Sequence, residues 1–246
     1  MAAVQLADRV ALITGGAHRV GKALTVALAG VGMRVAVHYL NAATGAEDLV
    51  SDLHSSGADA MAFRADLSRP EAPSQLISAV TEHFGSLNLL VNSAAVMRRT
   101  PVGDVSPEEW DAIFALNLRA PFFLCQAARP CLARSRGSIV NIADLAAFET
   151  WPAYVPHSIS KAGLVQMTRA LAHALAPDIR VNAVAPGAVL LPDGWDADAA
   201  QHLAATTPLR RLGSPTDVAD AVLYLARSDY VTGETIIVDG GRHVRT

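Results

Sequence analysis

The most informative stretch of this chain for its fold is TGGAHRVG, residues 14–21. It follows an apolar run, RVALIT over residues 9–14, and opens a helical stretch over residues 20–31. Glycines in a turn between a buried strand and a helix let the backbone approach a pyrophosphate, and the helix N-terminus supplies unpaired N–H groups. This context predicts a dinucleotide-binding loop rather than an ordinary tight turn.

Outward from this loop, apolar and β-branched runs alternate with longer helical stretches. Further strands are predicted at residues 33–39, 59–65, 87–92, 138–143, 180–185 and 235–238. Helices are predicted at residues 42–55, after Pro73, from a capping box at Ser106 and Glu109 past Asn117, at 156–176 and from Ser214. The alternation predicts an α/β fold, a doubly wound, parallel seven-stranded Rossmann sheet with helices on both faces. Without a linker or repeat, residues 1–246 are expected to form a single dinucleotide-binding domain.

Composition excludes several classes of protein. Of the 246 residues, 51% are hydrophobic and 17% are charged, which excludes a disordered chain. Twenty basic and 23 acidic residues give a net charge of −3 without a basic stripe, so no nucleic-acid partner is expected. Cys125 and Cys131 form neither a disulfide framework nor a metal site. With no apolar run of about 20 residues and no leader pattern, we expect no membrane partner and a cytoplasmic location.

Several motifs, in order along nearly the whole chain, resemble those of the short-chain dehydrogenase/reductase family. They are TGGAHRVG at residues 14–21, Asp66-Leu67, LVNSAA at 90–95, Asn117, Ser160-Lys161 and NAVAPG at 182–187. The resemblance implies an oxidoreductase that binds a nicotinamide cofactor. The residues implied in cofactor binding are Gly15, His18, Arg19, Val20, Gly21, Tyr39, Asn41, Asp66, Leu67, Asn92, Ser93, Ala94, Lys161, Pro186, Gly187 and Val189.

Within the family the chain looks most like the pteridine reductases and their bacterial relatives. Those proteins carry Arg in the cofactor loop, as Arg19 here, and Asp after strand five, as Asp144 here; PGAVLLPD at residues 186–193 resembles their lid. This resemblance implies a small carbonyl or pterin-like substrate bound by Met97, Asp144 and Trp195. Asp144 is expected either to protonate or orient the substrate or simply to cap a loop.

The end of the second strand bears on the choice of cofactor. NAD is usually selected by a carboxylate there, which binds the ribose 2′-hydroxyl. The stretch His38-Tyr39-Leu40-Asn41-Ala42 has no acid, and Arg19 and His18 offer donors to a 2′-phosphate. We therefore expect NADPH to be preferred over NADH.

The catalytic segment departs from the family pattern. The family places a Tyr four residues before the active-site Lys, on the same helix face. Here Lys161 is preceded at that spacing by His157, and Tyr154 lies three residues too early. Histidine is a common acid–base group near neutral pH, so His157 and Asp144 are candidates to handle the proton, with Asn117 and Lys161 completing the catalytic set.

Two functions therefore stay open. The first is an NADPH-dependent reductase of a small carbonyl or pterin-like substrate. The second is a catalytically weak or inactive NADP(H)-binding protein, a sensor or scaffold, which lost activity with the tyrosine. Helical stretches such as FFLCQAA at residues 122–128 are apolar on more than one face, which predicts a homotetramer, or at least a dimer.

Overall fold

The computed structural model describes residues 4–191 and 196–244. One parallel sheet of seven strands runs through it in the order β3-β2-β1-β4-β5-β6-β7. The order reverses between β1 and β4, which is the switch point of a doubly wound sheet. The predicted fold class is thus confirmed. The strands are β1 Val10–Ile13, β2 Arg34–Tyr39, β3 Ala60–Arg64, β4 Leu89–Asn92, β5 Ser138–Ile142, β6 Arg180–Pro186 and β7 Thr235–Val238.

Eight α-helices are described, and six of them cover the two faces of the sheet. They are α1 Arg19–Gly30, α2 Ala43–Ser55, α3 Ala72–Phe84, α4 Pro107–Phe114, α5 Ala120–Ser135, α6 Val155–Leu175, α7 Ala197–Thr206 and α8 Pro215–Arg227. Buried side chains of α1, α2 and α8 form one hydrophobic cluster with the sheet. Those of α3 and α5, with Ala172 of α6, form a second cluster on the other side.

The strands show why their sequences are continuously apolar. In β1, Ala11 and Ile13 belong to the first cluster, whereas Val10 and Leu12 belong to the second. Strands buried on both faces have no solvent side on which polar residues alternate. The carboxyl ends of the strands are consequently supported from both sides, and this rigid edge carries the candidate site.

Helices α4 and α5 are joined by a π-helical turn, Ala115–Arg119, rather than by a regular α-turn. The turn contains Asn117, whose side chain is fully buried. π-Bulges inside α-helices are frequent at functional sites because they re-aim a side chain. The helix predicted to run past Asn117 is therefore present, with an interruption that the sequence pattern did not indicate.

Ser106 and Ser214 cap helices at the predicted positions, but the reciprocal capping box is at Ser214 rather than at Ser106. The Ser106 hydroxyl accepts the Glu109 N–H at the start of α4. The reciprocal capping box, with bonds in both directions, is found at Ser214 and Asp217 of α8. Within residues 4–191 and 196–244, no helix has the length and apolar character needed to cross a membrane.

Candidate active site

The candidate site lies at the carboxyl edge of the sheet, where β1 and β4 end side by side. The Thr14 hydroxyl accepts the N–H groups of Ser93 at 2.9 Å and Ala94 at 3.0 Å. This single side chain ties the glycine-rich loop after β1 to the segment after β4. The structure thus brings together predicted cofactor residues that are about 80 positions apart in the chain.

The glycines of the loop form a cradle that side chains would fill. Gly15 has a φ of 65°, in the left-handed region that favours glycine. A Cβ at Gly21 would lie 2.1 Å from the Gly15 carbonyl oxygen, and one at Gly16 would lie 2.9 Å from that of Ile13. His18 is the N-cap of α1, Val20 follows in the first turn, and the helix points its N-terminus at this cradle. The residues present fit a pyrophosphate, which needs close backbone approach and helix N–H groups.

His38, near the end of β2, holds this cradle in place and was not predicted as a site residue. Its Nδ1 accepts the Gly15 N–H at 3.0 Å, and its Nε2 lies 3.1 Å from the Ala65 carbonyl oxygen. Both contacts are satisfied by a neutral ring with the hydrogen on Nε2. Burial lowers the pKa of His38, which favours that neutral form. Histidine in an apolar strand is a signal for such a role, but its partners are distant in sequence.

Arg64 places a cation at the corner beside the end of β2, where a carboxylate that selects NAD would be expected. It ends β3 opposite Tyr39, and its Nε donates to the Leu40 carbonyl oxygen at 3.3 Å. Tyr39 is half-buried and Asn41 is exposed beside it. Arg64 was not among the predicted cofactor residues because only strand pairing brings it to this corner.

Asp66 and Leu67 continue from this corner beyond β3. The Ser68 hydroxyl and N–H both donate to the Asp66 carboxylate, which lowers the pKa of Asp66. Leu67 is buried. The two predicted residues therefore lie on a fixed turn, one with a charged group near the surface and the other within the core.

Arg19 joins the cofactor loop to the segment that follows β6. It has a φ of 48°, and its guanidinium lies 3.5 Å and 3.3 Å from the carbonyl oxygens of Leu190 and Leu191. The prediction placed this side chain at the 2′-phosphate corner. That role stays a prediction, and the described contacts of the guanidinium are with the segment after β6.

The side chain of Asn92 lies in the protein interior. It is buried, and its amide donates to the Asn141 side chain at 2.8 Å, which in turn donates to Thr168 at 2.9 Å. This chain of polar groups joins β4, β5 and α6. The Asn92 amide nitrogen is therefore engaged within the protein interior.

Lys161 of α6 brings an ammonium group into the interior of the site. It is 4% exposed, and its Nζ donates to the Ile142 carbonyl oxygen at 2.8 Å. Burial lowers the pKa of Lys161 to about 8, partly offset by the negative charge of Asp144. The ordinary pKa of a lysine side chain is 10.5, so the proton on Nζ is held much more loosely than usual.

The Asn117 side chain holds the segment that follows β4 in place. Its amide oxygen accepts the Val96 N–H, and its Nδ2 donates to the Val96 carbonyl, both at 2.9 Å. Nδ2 also lies 3.1 Å from the Ser160 hydroxyl, which donates to the His157 carbonyl at 2.7 Å. The π-helical turn thus links the segment after β4 to the first turns of α6.

His157 and Asp144 face each other across the site. The His157 Nε2 lies 3.7 Å from Asp144 Oδ2, and its Nδ1 lies 3.3 Å from the Val96 carbonyl oxygen. The other carboxylate oxygen of Asp144 accepts the Ala146 N–H at 2.8 Å. Asp144 therefore caps the short 3₁₀ turn Leu145–Ala147, as one of its two expected roles required, and also presents an oxygen to His157. Its expected role toward the substrate stays a prediction.

Tyr154 is the N-cap of α6 and so lies before the helix that carries Lys161. Its ring packs edge-on against Trp151, with ring centroids 6.2 Å apart. The Trp151 indole N–H donates to Glu149 at 2.9 Å. His157, and not Tyr154, is therefore the α6 residue four positions before Lys161.

Further predicted residues lie at and after the end of β6 and on the segment after β4. Pro186 ends β6, and a Cβ at Gly187 would lie 2.7 Å from the Asp239 Cβ, which explains the glycine there. Val189 follows and is half-buried. Met97 is 43% exposed on the loop after β4. Trp195, predicted to contact substrate, lies outside the described residues.

Comparison with known proteins places this arrangement among reductases. Residues 15–243 match a family model described as enoyl-(acyl carrier protein) reductase. A Streptomyces violaceoruber protein assigned as ketoacyl reductase 2 of the granaticin polyketide synthase is 39% identical over 243 residues, with 96% of each chain covered. The 3-oxoacyl-[acyl-carrier-protein] reductase of Synechocystis is 34% identical, over 96% of this chain and 97% of that protein.

The fold is equally close to solved structures. FolM alternative dihydrofolate reductase 1 from Brucella canis, solved with NADP, superposes with a TM-score of 0.93. It is 32% identical in sequence, and the match covers 98% of this chain and 96% of that one. The likeness extends over nearly the entire length of both chains.

Proposed function

The chain belongs to the short-chain dehydrogenase/reductase family of NAD(P)-dependent oxidoreductases, and from this premise we propose that it uses NADPH to reduce a small carbonyl or pterin-like substrate. The bound nicotinamide would supply the hydride. The protein's own residues bind the dinucleotide, shield the reacting centre from water and provide the proton. A carbonyl is the substrate group of the two reductase relatives, and the Brucella protein is a dihydrofolate reductase by name.

The buried ammonium of Lys161 is the observation that carries this proposal. A charged group enclosed by protein is unfavourable by several kcal/mol unless it is compensated. Lys161 has one hydrogen bond, to a backbone carbonyl, and the Asp144 carboxylate as its counter-charge. Such an arrangement, beside a dinucleotide cradle, is typical of a site that uses the cation rather than of a structural ion pair.

NADPH is proposed over NADH on the basis of charge at the β2 corner. A 2′-phosphate carries negative charge and is repelled by the carboxylate that selects NAD. Residues 38–42 contain no acid, and the Arg64 guanidinium is held beside Leu40. Binding of NADP to the Brucella protein is consistent with this choice.

The test is oxidation of NADPH, followed at 340 nm, against a panel of β-ketoacyl thioesters, simple ketones, dihydropterins and dihydrofolate. We expect turnover with at least one class, and loss of turnover in Lys161→Met. Arg129→Met, which removes an exposed cation from α5, is the matched control and should keep the wild-type rate. Turnover that survives in Lys161→Met would refute the assigned role of the ammonium.

A second function is favoured by one observation, the 2% exposure of the His157 side chain. A buried imidazole does not contact substrate directly, as a working family tyrosine would. In that case the protein binds NADP(H) without turnover. Titration of NADPH fluorescence together with the rate assay separates the two functions, since binding without oxidation of NADPH by any panel member supports the second.

A further inference from the structure

The imidazole of His157 is held so that only one of its nitrogens can exchange a proton with a neighbour. Its Nδ1 lies 3.3 Å from the Val96 carbonyl oxygen, which accepts hydrogen bonds and donates none. Nδ1 therefore carries a hydrogen, and Nε2 is the atom that gains or loses one. Among the described residues, the buried Nε2 has no hydrogen-bond partner.

Asp144 presents the carboxylate oxygen that faces this nitrogen. Its Oδ1 accepts the Ala146 N–H at 2.8 Å, and its Oδ2 lies 3.7 Å from His157 Nε2. The Asp144 side chain is 25% exposed, whereas that of His157 is 2% exposed. A group that touches substrate needs access to the site, and of these two only Asp144 has it.

We infer, on the premise of the proposed reductase function, that Asp144 is the catalytic acid that touches the substrate and that His157 is a positioning residue that keeps a proton on Asp144. Bound NADPH would supply a hydride to the substrate carbonyl carbon, and the carbonyl oxygen would accept the Asp144 proton as the C=O π bond breaks. An alcohol and the oxidised nicotinamide result. The Asp144–His157 pair is left one proton short, and solvent restores that proton through Asp144.

The division of roles follows from the ordinary chemistry of the two groups. An isolated carboxyl group is ionised at neutral pH and is then a poor source of protons. An imidazole with its hydrogen on Nδ1 presents the Nε2 lone pair to the carboxyl group, and a small approach from 3.7 Å to hydrogen-bond distance lets one proton pass between Nε2 and Oδ2. Lys161 is the other charged group coupled to Asp144, and its ammonium favours the carboxylate. His157 therefore opposes Lys161 by keeping a proton within reach of Asp144.

Two single variants test the inference in a substrate assay across pH. Asp144→Asn should lower kcat by about 100-fold or more at every pH. His157→Gln should keep turnover at low pH, but the pH at which kcat begins to fall should move downward, because the proton is no longer shared. NADPH affinity should be unchanged in both, and the exposed-residue control His202→Gln should behave as wild type. Activity in Asp144→Asn with none in His157→Gln at any pH would make His157 the donor and overturn the inference.

A second measurement does not depend on turnover. In ¹⁵N spectra of the imidazoles, the His157 signals are those lost in His157→Gln. We expect the tautomer with the hydrogen on Nδ1, and a His157 titration that moves to lower pH in Asp144→Asn. If the pH at which His157 titrates is the same in Asp144→Asn as in the wild type, the inference is contradicted. If the wild type binds NADPH and its His157 titration depends on Asp144, but it reduces no substrate, the proposed function and the catalytic role of Asp144 are refuted. The coupling between His157 and Asp144 would still be established.

Discussion

At the scale of single residues, Lys161 and His38 are ionisable side chains that the fold encloses, and burial disfavours the charged form of each. Each is tied to backbone groups of the site rather than to a partner of opposite charge within hydrogen-bond distance. Their protonation is therefore coupled both to folding and to the shape of the site. Measurements of stability against pH can detect that coupling without knowledge of the substrate.

For Lys161 the coupling predicts that stability rises with pH above neutrality. The pKa of Lys161 is about 8 in the fold, against 10.5 for the free side chain, so between these values the unfolded chain binds more protons than the folded one. The free energy of unfolding of the apo protein should therefore increase through this window, by about 3 kcal/mol in total. Urea unfolding from pH 7 to 10.5 measures it. Lys161→Met should lack the rise and be at least as stable at pH 7; the same rise in that variant would disprove the assignment.

For His38 the coupling has its consequences at acid pH. The ring is neutral in the fold with a lowered pKa, so stability is complete above the ordinary histidine value and is lost as pH falls below it. His38→Asn keeps an acceptor for the Gly15 N–H but does not titrate, and it should remove this loss. His38→Ala leaves that N–H without its partner, and should weaken NADPH binding by about 1–3 kcal/mol. Calorimetric titration at pH 7.5 and urea unfolding at pH 5.5 and 7.5 check both, with His202→Asn as an exposed control.

At the scale of elements, the sequence predicts strands and helices more reliably than it predicts what they bring together. β2 and β5 lie within the predicted ranges because doubly buried strands are continuously apolar. The π-helical turn at Asn117 was not predicted, because apolar spacing alone does not distinguish a single π-turn from a regular α-helical turn. The His38–Gly15 bond and the Arg64 corner depend on strand pairing, which no local pattern encodes. The His157 and Asp144 side chains were proposed from the sequence, but their unequal exposure emerges only from packing.

The charge at the corner formed by β2 and β3 is expected to set the preference between NADPH and NADH. NADPH should bind more tightly than NADH to the wild type. Arg64→Gln removes the cation held against Leu40 and should narrow the difference, and Asn41→Asp places a carboxylate beside the ribose and should reverse it. Dissociation constants for both cofactors, measured by fluorescence titration, test this. Equal or tighter NADH binding by the wild type contradicts the prediction, whereas Arg134→Gln, which removes an exposed cation from α5, should change neither constant.

At the scale of the whole molecule, two apolar surfaces are exposed within residues 4–191 and 196–244. The first is a groove between the α4–α5 helices and α6, lined by Phe114, Leu118, Phe122, Phe123 and Met167. Both Phe122 and Phe123 are 40% exposed there. The second, beside α8, includes Tyr224 and Tyr230, the latter 88% exposed. Large apolar side chains grouped on a surface are characteristic of protein–protein contacts, and two separate surfaces are what a tetramer with two kinds of twofold interface requires.

We therefore predict a homotetramer in which each surface meets its own copy in a neighbouring subunit. A charge at the centre of one twofold interface is repeated on the partner, so Phe122→Glu brings two buried carboxylates together and should leave only the α8 contact. Tyr230→Glu should do the same at the other surface. Each variant is expected to be a dimer, and the double variant a monomer, by light scattering at micromolar concentration. Met61→Glu, which charges an exposed apolar residue of β3, is the control and should remain tetrameric. A wild type that is monomeric under these conditions contradicts the prediction, and a dimer that only one of the two substitutions dissociates identifies the surface in use.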